Sequence, residues 1–197
     1  YVAVLDQDDI WIPNKLKKQI EILKNNPAIG IVYSGIQRID ESGNKLDTAI
    51  VKDICDDPFM HLLFKNYITF SSVLIRRSAL NEHLIDKRFN QIGDAYLYLS
   101  LAVKEYNFGF VEEPMVLYRI HQNSLSRSIN NLKEAHSEQL TMLKEFEEVV
   151  PKSKIMPALA LSHLGLAVSL IKYDSANDDT QIWYYINKAL QTSKSLP

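Results

Sequence analysis

The stretch YVAVLDQDDIW, residues 1–11, constrains the fold more than any other part of the chain. Five mostly apolar residues form a β-type run of the kind found in a buried strand, and the run ends in Asp6-Gln7-Asp8-Asp9. Such a strand delivers carboxylates to the C-terminal edge of a sheet, where open α/β sheets usually bind ligands. Carboxylates this close repel one another, and a divalent cation is the simplest way to keep them ionised. Oxygen ligands of this kind suit Mg2+ or Mn2+, which commonly bridge a protein carboxylate to a diphosphate. The physical expectation is a metal–phosphate site at a strand end. The alternative is an acidic turn that caps the helix starting at Pro13. With 13 aspartates in 197 residues, the spacing Asp-x-Asp arises about once by chance, so spacing alone does not decide.

Further along, a helix is expected from about Pro13 to Lys24, with Leu16, Ile20 and Leu23 lining one face. IGIVYSGI (29–36) reads as a strand and DESGNK (40–45) as a hairpin turn. Residues 58–66 suggest a short helix, SSVLIRR (71–77) a strand, residues 94–105 a helix, and FGFVEEP (108–114) a strand. From about residue 130 every segment is helical in pattern, with Leu132, Ala135, Leu140, Leu143, Phe146 and Val150 on one stripe. ALALSHLGLAVSLI (158–171) and QIWYYINKALQTS (181–193) follow, joined by the polar loop 174–180. The expected division is an α/β portion over 1–129 and a helical tail over 130–197.

Composition excludes some partners. The net charge of −2 leaves no basic field for nucleic acid. Lys15-Leu-Lys-Lys reads as the solvent face of a helix. The single cysteine, Cys55, excludes an internal disulfide and fits a reducing compartment. No uninterrupted apolar run is long enough to span a bilayer, and no signal peptide is visible.

Three stretches, in order, resemble the family-2 glycosyltransferases, nucleotide-sugar enzymes with the GT-A fold. LDQDDIWIPNKLKKQ resembles their Asp-x-Asp strand end with its trailing Trp, Pro and Leu. GDAYLYLSLA (93–102) resembles the acidic helix start that carries the catalytic base, although Gly93 stands where many relatives have an acid. EPMVLYRIHQNSLS (113–126) resembles the closing segment. The implied fold is α/β, a partial GT-A (nucleotide-diphospho-sugar transferase) fold with an α-helical C-terminal appendage.

By that resemblance Asp8 coordinates Mn2+ or Mg2+, and Asp6 holds the ribose or a metal-bound water. Asp94 is the general base, and His121 lies near the donor diphosphate as a further metal ligand. Arg119 neutralises phosphate or pairs with Glu112 or Glu113. Trp11, Ser71 and Ser72 fall where the acceptor pocket is shaped. The implied reaction is an inverting displacement from a nucleotide-sugar donor to a glycan or lipid-linked acceptor, on the cytoplasmic side, with peripheral membrane association an open reading. The family's nucleotide-binding half lies upstream of the Asp-x-Asp strand. The chain therefore reads as a fragment, inactive alone, whose strand edges favour homo-oligomerisation.

Two other classes remain in view. A haloacid-dehalogenase-type phosphatase also places Asp-x-Asp after an apolar strand, but Ile10 stands where that chemistry wants Thr or Val. A non-catalytic interaction module would use a degenerate transferase scaffold and dock partners through HLGLAVSLIKY and WYYINKAL.

Overall fold

The computed structural model of the chain describes residues 1–49, 51–80, 86–121, 129–173 and 179–194. They form two compact units. The first comprises Tyr1–Asp86 and Leu97–Gln122, and the second Lys87–Tyr96 and Asn123–Pro197. The sequence boundary at 129/130 follows the chain, whereas the second unit also takes in the stretch from Lys87 to Tyr96.

The first unit is built on one mixed sheet. Its strands are β1 (Val2–Ala3), β2 (Ile10–Trp11), β3 (Ile29–Ile39), β4 (Lys45–Ala49), β5 (Leu74–Ile75) and β6 (Asn107–Arg119). The order is β1-β5-β3-β6-β2, with β4 beside the far half of β3. β3 and β6 are its long, parallel centre, and the other pairings are antiparallel. β3 is buried along almost its whole length, so it reads as a continuous apolar run rather than an alternating one. Along the β3–β6 ladder the partner of Ser34 is Val111 and the partner of Gly35 is Pro114. Glu112 and Glu113 therefore bulge out of register. A Cβ on Gly35 would meet the Glu112 carbonyl at 2.5 Å, so only glycine permits this approach of the two backbones.

α1 (Lys15–Asn25) packs on the sheet through Leu23, with Ile29, Val32, Leu74, Val111 and Met115 completing that core and Ile20 and Ile22 at its margin. Its buried face is not the one the apolar spacing suggests. Leu16 is exposed, while Lys15 and Gln19, one turn apart, go inside with Leu23. Lys15 therefore leaves the expected solvent face, because its amine finds acceptors behind the sheet. α2 (Pro58–Phe64) is short and is capped by Asp57, whose Oδ1 accepts the Met60 N–H at 3.0 Å.

Two further expectations need correction. The run 1–5 is not a buried strand, since only Val2–Ala3 pair and Tyr1 and Leu5 are about half exposed. β5 is that pair's partner, and β1 ends the order of the sheet. In SSVLIRR only Leu74–Ile75 is strand, and 3-10 turns flank it at Phe70–Ser72 and Arg77–Ala79. The hairpin turn at 40–45 and the strand at 108–114 form as expected.

α3 (Gly93–Val103) is divided between the units after Tyr96. The second unit adds α4 (Ile129–Phe146), α5 (Lys152–Tyr173) and α6 (Asp179–Lys194). Of the expected α4 stripe, Leu143 and Phe146 are buried, and Leu132, Ala135 and Leu140 are half-buried. Leu166 and Leu170 of α5 pack on Ile182 of α6. By length and composition the segment Lys152–Lys172 could cross a membrane, with a mean hydropathy of 1.6 over its best window. No uninterrupted run is involved: Ser162, His163 and Ser169 interrupt the segment without lowering its average enough. The call on loop 174–180 and that on the serines after His121 fall mostly or wholly outside the described residues.

Candidate functional site

The acid tip of the first strand is a turn, Asp6–Asp9, closed by the Asp9 N–H donating to the Asp6 carbonyl at 3.2 Å. β2 follows at once and pairs with β6 at Ile10↔Leu117 and Trp11↔Val116. That pairing lays the end of β6 against the turn. The Arg119 N–H donates to Asp9 Oδ1 at 3.0 Å. The guanidinium donates through Nε to the Asp8 carbonyl at 3.0 Å, and through Nη1 to the carbonyls of Asp40 and Glu41, both at 2.9 Å. His121 Nε2 lies 2.9 Å from Asp8 Oδ2. Asp6, Asp8, Arg119 and His121, chosen from the sequence across more than a hundred residues, therefore meet at one place. Arg119 binds three carbonyls there, tying the acid turn to the β3–β4 turn. Glu113, offered as its partner, instead takes Lys18 at 2.7 Å.

Asp9 is the acid that the residue-by-residue reading left without a role. It is only 7% exposed, and its Oδ2 is buried with no hydrogen-bond partner. Burial pushes its carboxyl above the usual carboxylate range and the charges of Asp8 and Asp6 add to this, while the Ser71 hydroxyl and the Arg119 N–H pull the other way. Burial likewise raises Asp6, and the nearby Asp8 charge adds to it against the Ser71 hydroxyl. Burial raises the Tyr118 phenol as well, followed by the charges of all three aspartates. The negative charge of the turn thus adds to the upward shifts of Asp6, Asp9 and Tyr118.

Behind the turn stands a polar wall. Ser71 and Ser72 are fully buried, so they shape the site from behind rather than face its solvent side. The Ser71 hydroxyl accepts the Asp6 N–H at 3.0 Å, and its carbonyl accepts Trp11 Nε1–H at 2.9 Å. The Ser72 hydroxyl donates to the Thr69 carbonyl at 2.7 Å. Gln19 donates to the carbonyls of Ser72 at 2.7 Å and Val32 at 3.1 Å. Lys15 Nζ donates to Gln19 Oε1 at 2.9 Å and to the Val73 carbonyl at 3.3 Å, and it lies 4.6 Å from the centre of the Trp11 ring. Burial pushes this amine down to about 8. Trp11 thus has its N–H and one ring face engaged by protein groups.

Asp94 belongs to the second unit. It lies one residue inside α3, where a carboxylate is favoured by the helix dipole, and its Oδ1 accepts the Ala95 N–H at 2.7 Å. The loop before it is held by Glu138 of α4, which accepts the N–H groups of Asn90, Gln91 and Ile92 at 2.9, 2.9 and 3.1 Å. Sequence reading gave Glu138 no part in this.

Among the described residues no group of three or more His, Cys, Asp or Glu is arranged to hold a metal ion. A divalent cation held jointly with a diphosphate asks less of the protein, since Mg2+ is commonly bound by one or two carboxylates plus substrate phosphates. Asp8 Oδ2 and His121 Nε2 are 2.9 Å apart. Asp8 and His121 are thus two side chains of kinds that Mn2+ or Mg2+ accepts when a diphosphate supplies the remaining ligands.

No family model matches the chain. It is 30% identical over 130 residues to an uncharacterized glycosyltransferase of Methanocaldococcus jannaschii, covering 64% of this chain and 45% of the relative. It is 32% identical over 155 residues to the Escherichia coli UDP-Glc:alpha-D-GlcNAc-diphosphoundecaprenol beta-1,3-glucosyltransferase WfgD, covering 75% and 55%. An uncharacterized glycosyltransferase of Haemophilus influenzae matches at 27% over 143 residues, covering 66% and 43%. The chain thus spans about half the length of these curated relatives. Their shared name supports a glycosyltransferase family, and the mixed α/β sheet is compatible with such a transferase.

Proposed function

We propose that the chain is part of a nucleotide-sugar-dependent, inverting glycosyltransferase of family 2 with the GT-A fold, and that the acid turn with His121 receives the donor diphosphate together with Mn2+ or Mg2+. The observation that carries this reading is the Asp8–His121 pair, 2.9 Å apart where the acid turn meets the end of β6. Asp8 and His121 would hold the metal. When bound, the cation supplies Lewis-acid stabilisation of the departing diphosphate. Arg119 keeps the turn in place through its three carbonyl contacts, so the carboxylates need no reorganisation when ligand arrives. Asp6, anchored through its N–H to Ser71, faces the nucleotide ribose.

Asp94 is proposed as the general base that takes the proton from the acceptor hydroxyl as the new glycosidic bond forms. Attack of the acceptor oxygen on the anomeric carbon as the diphosphate departs from the other side would invert that centre. The similarity to WfgD, whose name specifies a diphosphoundecaprenol-linked acceptor, supports a glycan or lipid-linked acceptor here.

The test is Asp94→Asn in the full-length transferase. We expect transfer to fall by about 10²–10⁴-fold, with UDP affinity within about twofold of the parent. Transfer at the parental rate would remove Asp94 from the chemistry.

A further inference from the structure

The second unit carries an apolar surface that its own packing leaves uncovered. α5 is apolar on all sides. One face, with Ile155, Ala158, Leu166, Ala167 and Leu170, is buried. The opposite face presents Leu161, Leu164, Val168 and Ile171, each between 43% and 59% exposed. At 3.6 residues per turn these four fall within about 80° of one another and run for about 15 Å along the helix. On α6, Trp183 is 60% exposed, and Tyr184 and Leu190 are exposed as well. A helix that is apolar all round is ordinarily covered all round, and grouped exposed aliphatics mark an interaction surface.

Charge narrows the choice of what covers it. Residues 152–173 contain no Asp or Glu, and their charges are Lys152 and Lys154 at one end and Lys172 at the other. α6 contributes Lys188, whose amine lies 5.6 Å from the centre of the Tyr184 ring. Self-pairing of the stripe would bring lysines of one copy against lysines of the other, whether the helices ran parallel or antiparallel. An anionic surface would instead meet cations at both ends of an apolar strip.

We propose that the α5 stripe, with Trp183 and Tyr184, docks on an anionic lipid bilayer, the helix lying in the interface plane. Aliphatic side chains enter the acyl boundary, the aromatic rings sit at headgroup level, and the lysine amines reach the phosphates on flexible stems. A spanning arrangement is disfavoured by the other face of the same helix. There Ser162, 8% exposed, donates to Gln139 Oε1 at 2.8 Å and meets His136 Nδ1 at 2.9 Å. Spanning would break these contacts and bring their polar groups into hydrocarbon. The proposal stands on the stripe and its charges, and it needs no sugar donor or acceptor to be tested.

The test is co-sedimentation of the chain with vesicles of phosphatidylcholine alone and with about one third phosphatidylglycerol, at low and at high salt. We expect binding to the mixed vesicles that weakens with salt and exceeds that to phosphatidylcholine. The double variant L164E/V168E should lower the partition coefficient by at least about tenfold. L161E/I171E, at the ends of the stripe, should do the same, so a folding defect in one variant does not decide the matter; circular dichroism checks each. No sedimentation of the parent chain, or equal binding by both folded variants, overturns the proposal. So does a parent chain that fails to bind vesicles and forms a dimer that the variants dissociate, which would assign the stripe to a second copy.

Discussion

At the scale of single residues, the candidate site depends on one carboxylate that ordinary stability rules disfavour. Asp9 Oδ2 is buried without a partner, and its carboxyl is pushed upward mainly by burial. A group kept in such a place at a cost to stability is a candidate for ligand contact. Asp9→Asn retains an oxygen for the Arg119 N–H and removes the buried charge. We expect the thermal midpoint to stay level or rise, while Mn2+-dependent UDP affinity falls by about tenfold or more. A variant that loses stability and keeps its affinity would make Asp9 purely structural. Asp6, Asp8, Arg119 and His121 were legible in the sequence because motif order carries them. Asp9 and Lys15 were not. Their burial follows from pairing across the sheet: Asp9 is enclosed when β2 meets β6, and Lys15 is drawn in by the carbonyl of Val73.

At the scale of elements, periodicity predicted the long pieces and failed on the short ones. β3, β6, α4, α5 and α6 are each long enough for their pattern to show. β1, β2 and β5 are two residues each, and their existence depends on partners remote in sequence. The loop before α3 is a similar case. It is set by Glu138, which accepts three successive N–H groups from α4, and no local signal marks that contact. Glu138→Ala should therefore destabilise the second unit by about 2 kcal/mol, and Glu138→Gln by less, in urea unfolding followed by circular dichroism. Equal stability of Glu138→Ala and the parent chain would mean that solvent replaces those bonds at no cost.

At the scale of the whole molecule, acid acts on the second unit through a buried histidine. His136 in α4 is buried, its Nε2 has no hydrogen-bond partner, and burial with the neighbouring His163 pushes its imidazole down to about 4. Unfolding restores an ordinary value near 6.5, so between those two pH values the unfolded chain binds more protons. The stability contributed is fully present above about pH 6.5 and is lost as pH falls toward 4, to the extent of about 3 kcal/mol. Thermal melts at pH 7 and pH 4.5 should show the loss, and His136→Phe should reduce the pH dependence. An unchanged dependence in that variant would place the acid sensitivity elsewhere.

The central claim is that the acid turn and the end of β6 together form a metal–diphosphate site. A calorimetric titration of UDP into this chain with Mn2+ tests it most directly, repeated with chelator and with Asp8→Ala and His121→Ala. The account predicts heat of binding that requires the metal and disappears in both variants. Binding that survives chelation or Asp8→Ala, or no metal-dependent heat in the parent chain, would contradict it.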